Sequence, residues 1–127
     1  VVGINKIVID SPLPSLNEYT NENRKHYHKG AQVKKRATYI CRIFIQKAIN
    51  EGLEVPKLPM DLKFTWYVKN RRQDKDNISF AKKFILDGMV DARLIKNDGW
   101  GQIGDFTDTF KVDKNERVEI ELIGGKE

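Results

Sequence analysis

The sequence predicts an α/β (α+β) fold: a two-layer sandwich in which a small mixed sheet packs against two main helices. Short stretches with apolar residues at every second position alternate along the chain with longer stretches whose apolar residues recur every three or four. Their order is strand, helix, strand, helix and then two strands, an order that layers helices on a sheet. A length of 127 residues fits one core, so residues 1–127 are expected to form a single domain.

In the first strand, "INKIVIDSP", Ile4, Ile7 and Ile9 carry the alternation, and Pro12 and Pro14 stop it. Residues 15–30 are polar and aromatic without a sustained period, which predicts a surface loop or short helix. Val33, Ala37, Ile40, Phe44 and Ala48 then mark a helix of about five turns, and Gly52 supplies its stop. Its remaining faces carry Lys34, Lys35, Arg36, Arg42 and Lys47. "LKFTWYVKN" sets Leu62, Phe64, Trp66 and Val68 on one face of a strand. A second helix is expected from Asn77 to about Val90, with Ile78, Ala81, Ile85 and Met89 inward and Asp76 or Asn77 as its cap. After the turn-rich "RLIKNDGWGQIGDF", a strand through Phe106 and Phe110, a turn at Asp113 to Glu116, and "RVEIELI" predict a hairpin.

Lysine and arginine number 23 against 18 acidic residues, a net charge of +5 that favours polyanionic partners. The single Cys41 excludes an intrachain disulfide framework or a cysteine-rich zinc site and fits a reducing cytoplasm. No apolar run reaches the roughly 20 residues that span a bilayer, and the start of the chain lacks a signal-peptide pattern, so no membrane partner and a cytoplasmic location are expected.

The stretch "RRQDKDN", residues 71–77, sets two arginines beside two aspartates where a strand ends. In extended chain Asp74 and Asp76 point to the same side, about 7 Å apart. Carboxylates so placed repel unless a cation lies between them. Arg71, Arg72 or Lys75 could serve, or a bound Mg²⁺ or Mn²⁺. A D-x-D alone is more often a solvated turn with a helix cap. An EF-hand is excluded, since Ser79 stands where glycine is needed and Ile85 where a bidentate glutamate is needed. His26 and His28 lack a third zinc partner nearby, and no serine sits in a nucleophile elbow.

"RRQDKDN", a helix carrying Lys83 and Asp87, and "NDGWGQI" together resemble the signature of the RusA-type Holliday junction resolvases. That family carries D-x-D-N at a strand end, a helical lysine, an aspartate four residues on, and a D-D pair eleven residues beyond. The intervals from Lys83 to Asp87 and from Asp87 to Asp98 reproduce it. The likeness extends to the first strand, the proline turn with Asn17, and the long basic helix. Two positions depart from the pattern. Phe80 holds the family's usual lysine place, and Asn97 replaces the first aspartate of the D-D pair. On a continuous helix, Lys83 returns to within about 20° of the face of Asp76, which makes it the expected lysine, with Lys75 or Lys82 as alternatives.

The resemblance implies a Mg²⁺- or Mn²⁺-dependent endodeoxyribonuclease that resolves four-way (Holliday) DNA junctions by paired symmetrical nicks, in recombination and repair and often in a prophage setting. It implies Asp74, Asp76 and Asp98 as metal ligands, Lys83 beside the scissile phosphate, and Asn97 as a neutral ligand or a turn former. No small-molecule cofactor is expected. A metal would neutralise the phosphate, activate water and stabilise the leaving oxygen. Resolving a two-fold junction with two nicks implies a homodimer. Arg24, Lys25, Lys29, Lys34, Lys35, Arg71 and Arg72 are the candidate DNA contacts, each with the alternative of a solvated surface charge. Lys83 could instead pair with Asp87, which is itself expected to be structural. His26 and Tyr27 could stack on DNA or lie in a loop, and Trp100 could wedge against bases or pack under the hairpin. The competing reading is a non-catalytic module that binds branched DNA.

Overall fold

The computed structural model describes residues 4–25 and 27–125, without the side chains of residues 25, 27 and 28. The element order is β1 (Lys6–Ile9), α1 (Leu16–Lys25), α2 (Tyr27–Asn50), β2 (Met60–Val68), α3 (Lys75–Ser79), α4 (Lys82–Asp91), β3 (Ile103–Val112) and β4 (Arg117–Ile123). The strands form one mixed sheet in the order β1-β4-β2-β3, and the α+β expectation holds.

The core lies between the sheet and the helices. Ile7, Ile9, Leu62, Phe64, Trp66, Val118, Ile120 and Leu122 form its sheet side, and Ala37, Cys41, Ile45, Phe84, Ile85 and Met89 its helical side. On α2 the buried stripe centres on Ala37, Cys41 and Ile45. Val33, Ile40 and Phe44, expected at the centre, lie at its margin and are half-buried. Helix α2 ends as the sequence predicts. Gly52 adopts φ 105°, and the Leu53 N–H donates back to the Ala48 carbonyl at 2.9 Å. Helices α2 and α4 touch where Gly88 meets Cys41, so closely that a Cβ on residue 88 would lie 2.7 Å from the Cys41 Cβ. Burial first, and then the nearby Asp87 carboxylate, push the Cys41 thiol up to about 12, so it remains an inert core group.

Three sequence expectations are corrected. The long helix begins at Tyr27, ahead of Val33 where its period starts, and of residues 15–30, expected as a surface loop or short helix, 16–25 form the short helix α1. Ser15 starts α1 with a reciprocal cap, its Oγ accepting the Glu18 N–H at 3.2 Å while its hydroxyl donates to the Glu18 Oε1 at 3.2 Å. The second helix is two pieces. At Phe80 and Ala81 the backbone bonds shorten to three-residue steps, Ala81 to Ile78, Lys83 to Phe80 and Phe84 to Ala81. The expected hairpin is split, because β2 lies between β3, its parallel neighbour, and β4, its antiparallel neighbour. Four residues, 113–116, give enough chain to step across two strand spacings of about 4.8 Å each. The Asp113 N–H donates to the Val68 carbonyl at 2.9 Å, and Arg117 closes the turn on the Asp113 Oδ2 at 2.7 Å.

Candidate functional site

The loop after β2 builds its acidic pair on a buried asparagine. Asp74 occupies the N-cap position of α3, in extended conformation, and its carbonyl accepts the Asn77 and Ile78 N–H groups at 3.1 and 3.2 Å. The helix begins two residues earlier than expected, at Lys75, and the Asp74 side chain makes no capping hydrogen bond and stands in solvent. The Asp76 Oδ1 accepts the Asn77 N–H at 3.0 Å, and Asp76 is likewise exposed. Asn77 is only 7% exposed. Its Oδ1 accepts the Asn17 N–H at 2.8 Å and its Nδ2 donates to the Gln73 Oε1 at 3.2 Å. One side chain therefore ties the start of α1 to the loop that presents Asp74 and Asp76.

The break in the helix sets how the lysines are presented. The turn at residues 80–84 is wound more tightly than an α-helix, which invalidates the seven-residue rotation used to place Lys83. Lys82, one of the two alternatives, points to β3. Its Nζ lies 2.8 Å from the Asp108 Oδ2, and 5.0 and 4.5 Å from the ring centres of Phe64 and Phe106. The Trp66 Nε1 donates to the other Asp108 oxygen at 2.9 Å. Lys75 lies over the Phe110 ring at 5.7 Å. Lys83 is exposed, and among the described residues no ion pair joins it to Asp87. Phe80, in the family's lysine place, packs against Tyr19 at 5.7 Å and Phe84 at 5.6 Å and so helps fix α1.

Asp98 belongs to a different neighbourhood. The Asn97 Oδ1 accepts the Gly99 N–H at 2.9 Å, and the Gly99 carbonyl accepts the Gln102 and Ile103 N–H groups at 3.1 and 2.9 Å. Asn97 thus acts as a turn former. This turn carries Trp100 outward, 97% exposed, and not packed under the strands that follow. Asp98 lines a groove of about 620 Å³ with Asp87 and Asp91, facing Lys34, Lys35 and Arg42 on α2.

The structure does not gather the three aspartates within the chain. Among the described residues no group of three or more His, Cys, Asp or Glu side chains is placed to hold a metal ion. The topology supplies the reason. β2 and β3 are parallel, with Met60 beside Ile103 and Val68 beside Val112. Asp74 and Asp76 follow one end of a nine-residue strand, about 26 Å long, and Asp98 precedes its neighbour at the other end. The metal set Asp74, Asp76 and Asp98 therefore does not fit a single chain.

The proposed DNA contacts Arg24, Lys29, Lys34, Lys35, Arg71 and Arg72 are all exposed, while the side chains of Lys25 and Tyr27 and the whole of His26 lie outside the described residues. Arg42 joins the α2 row by facing the same groove as Lys34 and Lys35. Its position eight residues after Lys34, two turns along the helix, was the available signal. Arg93 and Lys96 add exposed cations near Trp100 in sequence. No helix among the described residues is long and apolar enough to cross a membrane. No family model matches the chain, and no curated protein matches it.

Proposed function

We propose that this chain is a RusA-type, structure-specific endodeoxyribonuclease that nicks four-way DNA junctions as a homodimer in the presence of Mg²⁺ or Mn²⁺. The observation that carries the reading is the loop after β2. Asp74 and Asp76 are exposed and, among the described residues, form no ion pair, and the exposed Arg71 and Arg72 stand directly before them. A capping role would engage the Asp74 carboxylate, and it is not engaged. The arginines and the basic row of α2 supply phosphate contacts, which position DNA without reading its sequence. Trp100 offers a ring on which an unpaired base at a branch can stack. The reading also requires that carboxylates beyond Asp74 and Asp76 come from outside the protomer, and two-fold symmetry can supply them.

Purified protein is expected to nick a synthetic four-way junction symmetrically in Mg²⁺ or Mn²⁺, to lose this in EDTA, and to leave linear duplex intact. Asp76→Asn should abolish cutting and keep junction binding. A second reading, a branched-DNA-binding module without catalysis, is favoured by the separation of Asp98 from Asp74 and Asp76. Junction binding with no cutting in either metal would decide for it.

A further inference from the structure

A cleft of about 650 Å³ lies between α1 and α2 on one side and the end of β2 and start of β4 on the other. Its volume is in the range of small-molecule sites, and neither the aspartates nor the basic row of α2 accounts for it. Trp66 of β2 and Val33 and Ile40 of α2 give it an apolar floor. Trp66 is buried, and the other two are half-buried at the margin of the core.

The polar groups that line the cleft differ in how far they are engaged. The Glu18 Oε1 already accepts the Ser15 hydroxyl at 3.2 Å, and Arg117 is committed to Asp113 and Glu119 at 2.7 and 2.9 Å. Glu116 is half-buried, and its carboxylate has no hydrogen bond or ion pair among the described residues. Arg36 and Lys69 are exposed and likewise form no ion pair. An apolar floor, an unengaged acceptor and two unengaged cations suit a nucleotide. The floor takes the ring, the carboxylate accepts from an exocyclic amino group, and the cations meet the phosphate. A free anion on the floor would be repelled by Glu116.

We infer that this cleft takes a single base extruded from the DNA branch, its exocyclic amino group donating to Glu116 and its flanking phosphate held by Arg36 and Lys69. This rests on the reading above for branched DNA as the source of the base, while the chemistry of the cleft stands apart from it. Extrusion costs least where a base is already unpaired, as at a branch. The cleft also adjoins the loop that presents the aspartates. Gln73 lines it, directly precedes Asp74, and accepts the Asn77 Nδ2–H at 3.2 Å. A base seated there fixes its strand beside Asp74 and Asp76, and so sets which phosphodiester meets them.

The chain has two tryptophans, Trp66 in the cleft and Trp100 in the exposed turn, so their indole N–H signals in an NMR spectrum report the two places separately. Deoxyadenosine and deoxycytidine 5′-monophosphates titrated into the full chain should shift the Trp66 signal to saturation. Thymidine 5′-monophosphate, whose base has no amino group, should bind at least about fivefold more weakly. Inorganic phosphate should leave Trp66 unmoved. Val33→Phe fills the floor and should abolish the Trp66 shift while the rest of the spectrum stays folded. Glu116→Met should keep binding but erase the preference among bases. On a four-way junction carrying 2-aminopurine at the branch, in EDTA, the wild type should raise the fluorescence as the base leaves its stack, and Val33→Phe should not. A Trp66 signal that no nucleotide moves would overturn the inference. So would a shift that phosphate alone reproduces, or binding indifferent to both substitutions. Saturable Trp66 shifts in a protein that nicks no junction would remove the nuclease reading and leave the assignment of the cleft in place.

Discussion

Residues 71–77 and 97–102 are both short polar stretches in which an asparagine adjoins an aspartate, yet the fold uses them in opposite ways. In the first, the asparagine is buried and reaches across 60 positions to Asn17, while both aspartates stand in solvent. In the second, the asparagine is exposed and bonds only two residues on, to Gly99, while its aspartate lines a groove against the basic row of α2. One loop is fixed by tertiary structure and the other by local turn chemistry. A centre that draws on both therefore joins halves positioned by different physics, from opposite ends of the β2-α3-α4-β3 unit.

The largest expected effect tests whether the two halves work together. Asp98→Asn should lower junction cutting roughly 100-fold or more while binding persists, as expected of Asp76→Asn. Mixing the two inactive variants then separates the arrangements. If each centre combines Asp74 and Asp76 of one protomer with Asp98 of the other, a mixed dimer retains one intact centre and single nicks reappear. If Asp98 serves the same protomer's pair, mixing restores nothing, and if it serves no centre, Asp98→Asn alone keeps cutting. Counting nicks per junction on a gel reads the result.

The comparison also shows which features were legible in the sequence. The alternation of "LKFTWYVKN" and "RVEIELI" placed both central strands, because a face buried against helices imposes a two-residue period. The same alternation is silent about neighbours, so β3 and β4 were expected to pair although β2 lies between them. "SLNE" carried the Ser15 and Glu18 capping box, and it outweighs the absence of a long apolar period in residues 16–25. Tyr19 supplies the apolar contact that holds α1 down, on Phe80 and Phe84, which lie some 60 positions away and cannot be paired by local pattern. At the site, the motif located Asp74 and Asp76, but spacing along the chain could not reveal that the connection through α4 carries Asp98 to the other end of the strand. Nor could it reveal that the asparagine of D-x-D-N serves the architecture.

The next effect is on stability and contrasts the two asparagines. Asn77→Ala leaves the Asn17 N–H without its partner beside a part-buried helix start and removes the link to Gln73. A loss of about 2 to 3 kcal/mol is expected. Asn97→Ala removes one exposed turn bond and should cost about 1 kcal/mol or less. Urea unfolding of the two variants beside the wild type measures both. Equal losses would mean that the first loop is held no more firmly than the second, and the contrast between them would fail.

The smallest effect concerns adjacent lysines that the sequence could not tell apart. Lys82 is committed to the sheet, with one carboxylate and two aromatic rings around its ammonium. Lys82→Met would leave Asp108 with only the Trp66 N–H and should cost about 1 to 2 kcal/mol, an amount set by a partly screened ion pair and two ring contacts. Lys83→Met changes an exposed side chain on the next helical position and should stay within about 0.5 kcal/mol of the wild type. Their effects on DNA should run the other way. Lys83 faces solvent, so its loss should lower junction binding or cutting while the fold is untouched, whereas stabilising a Lys82 variant by other means should recover its activity. If Lys82→Met abolished cutting at full stability, the ammonium would be leaving Asp108 to meet the DNA, and the ion pair would be the resting state of a catalytic group.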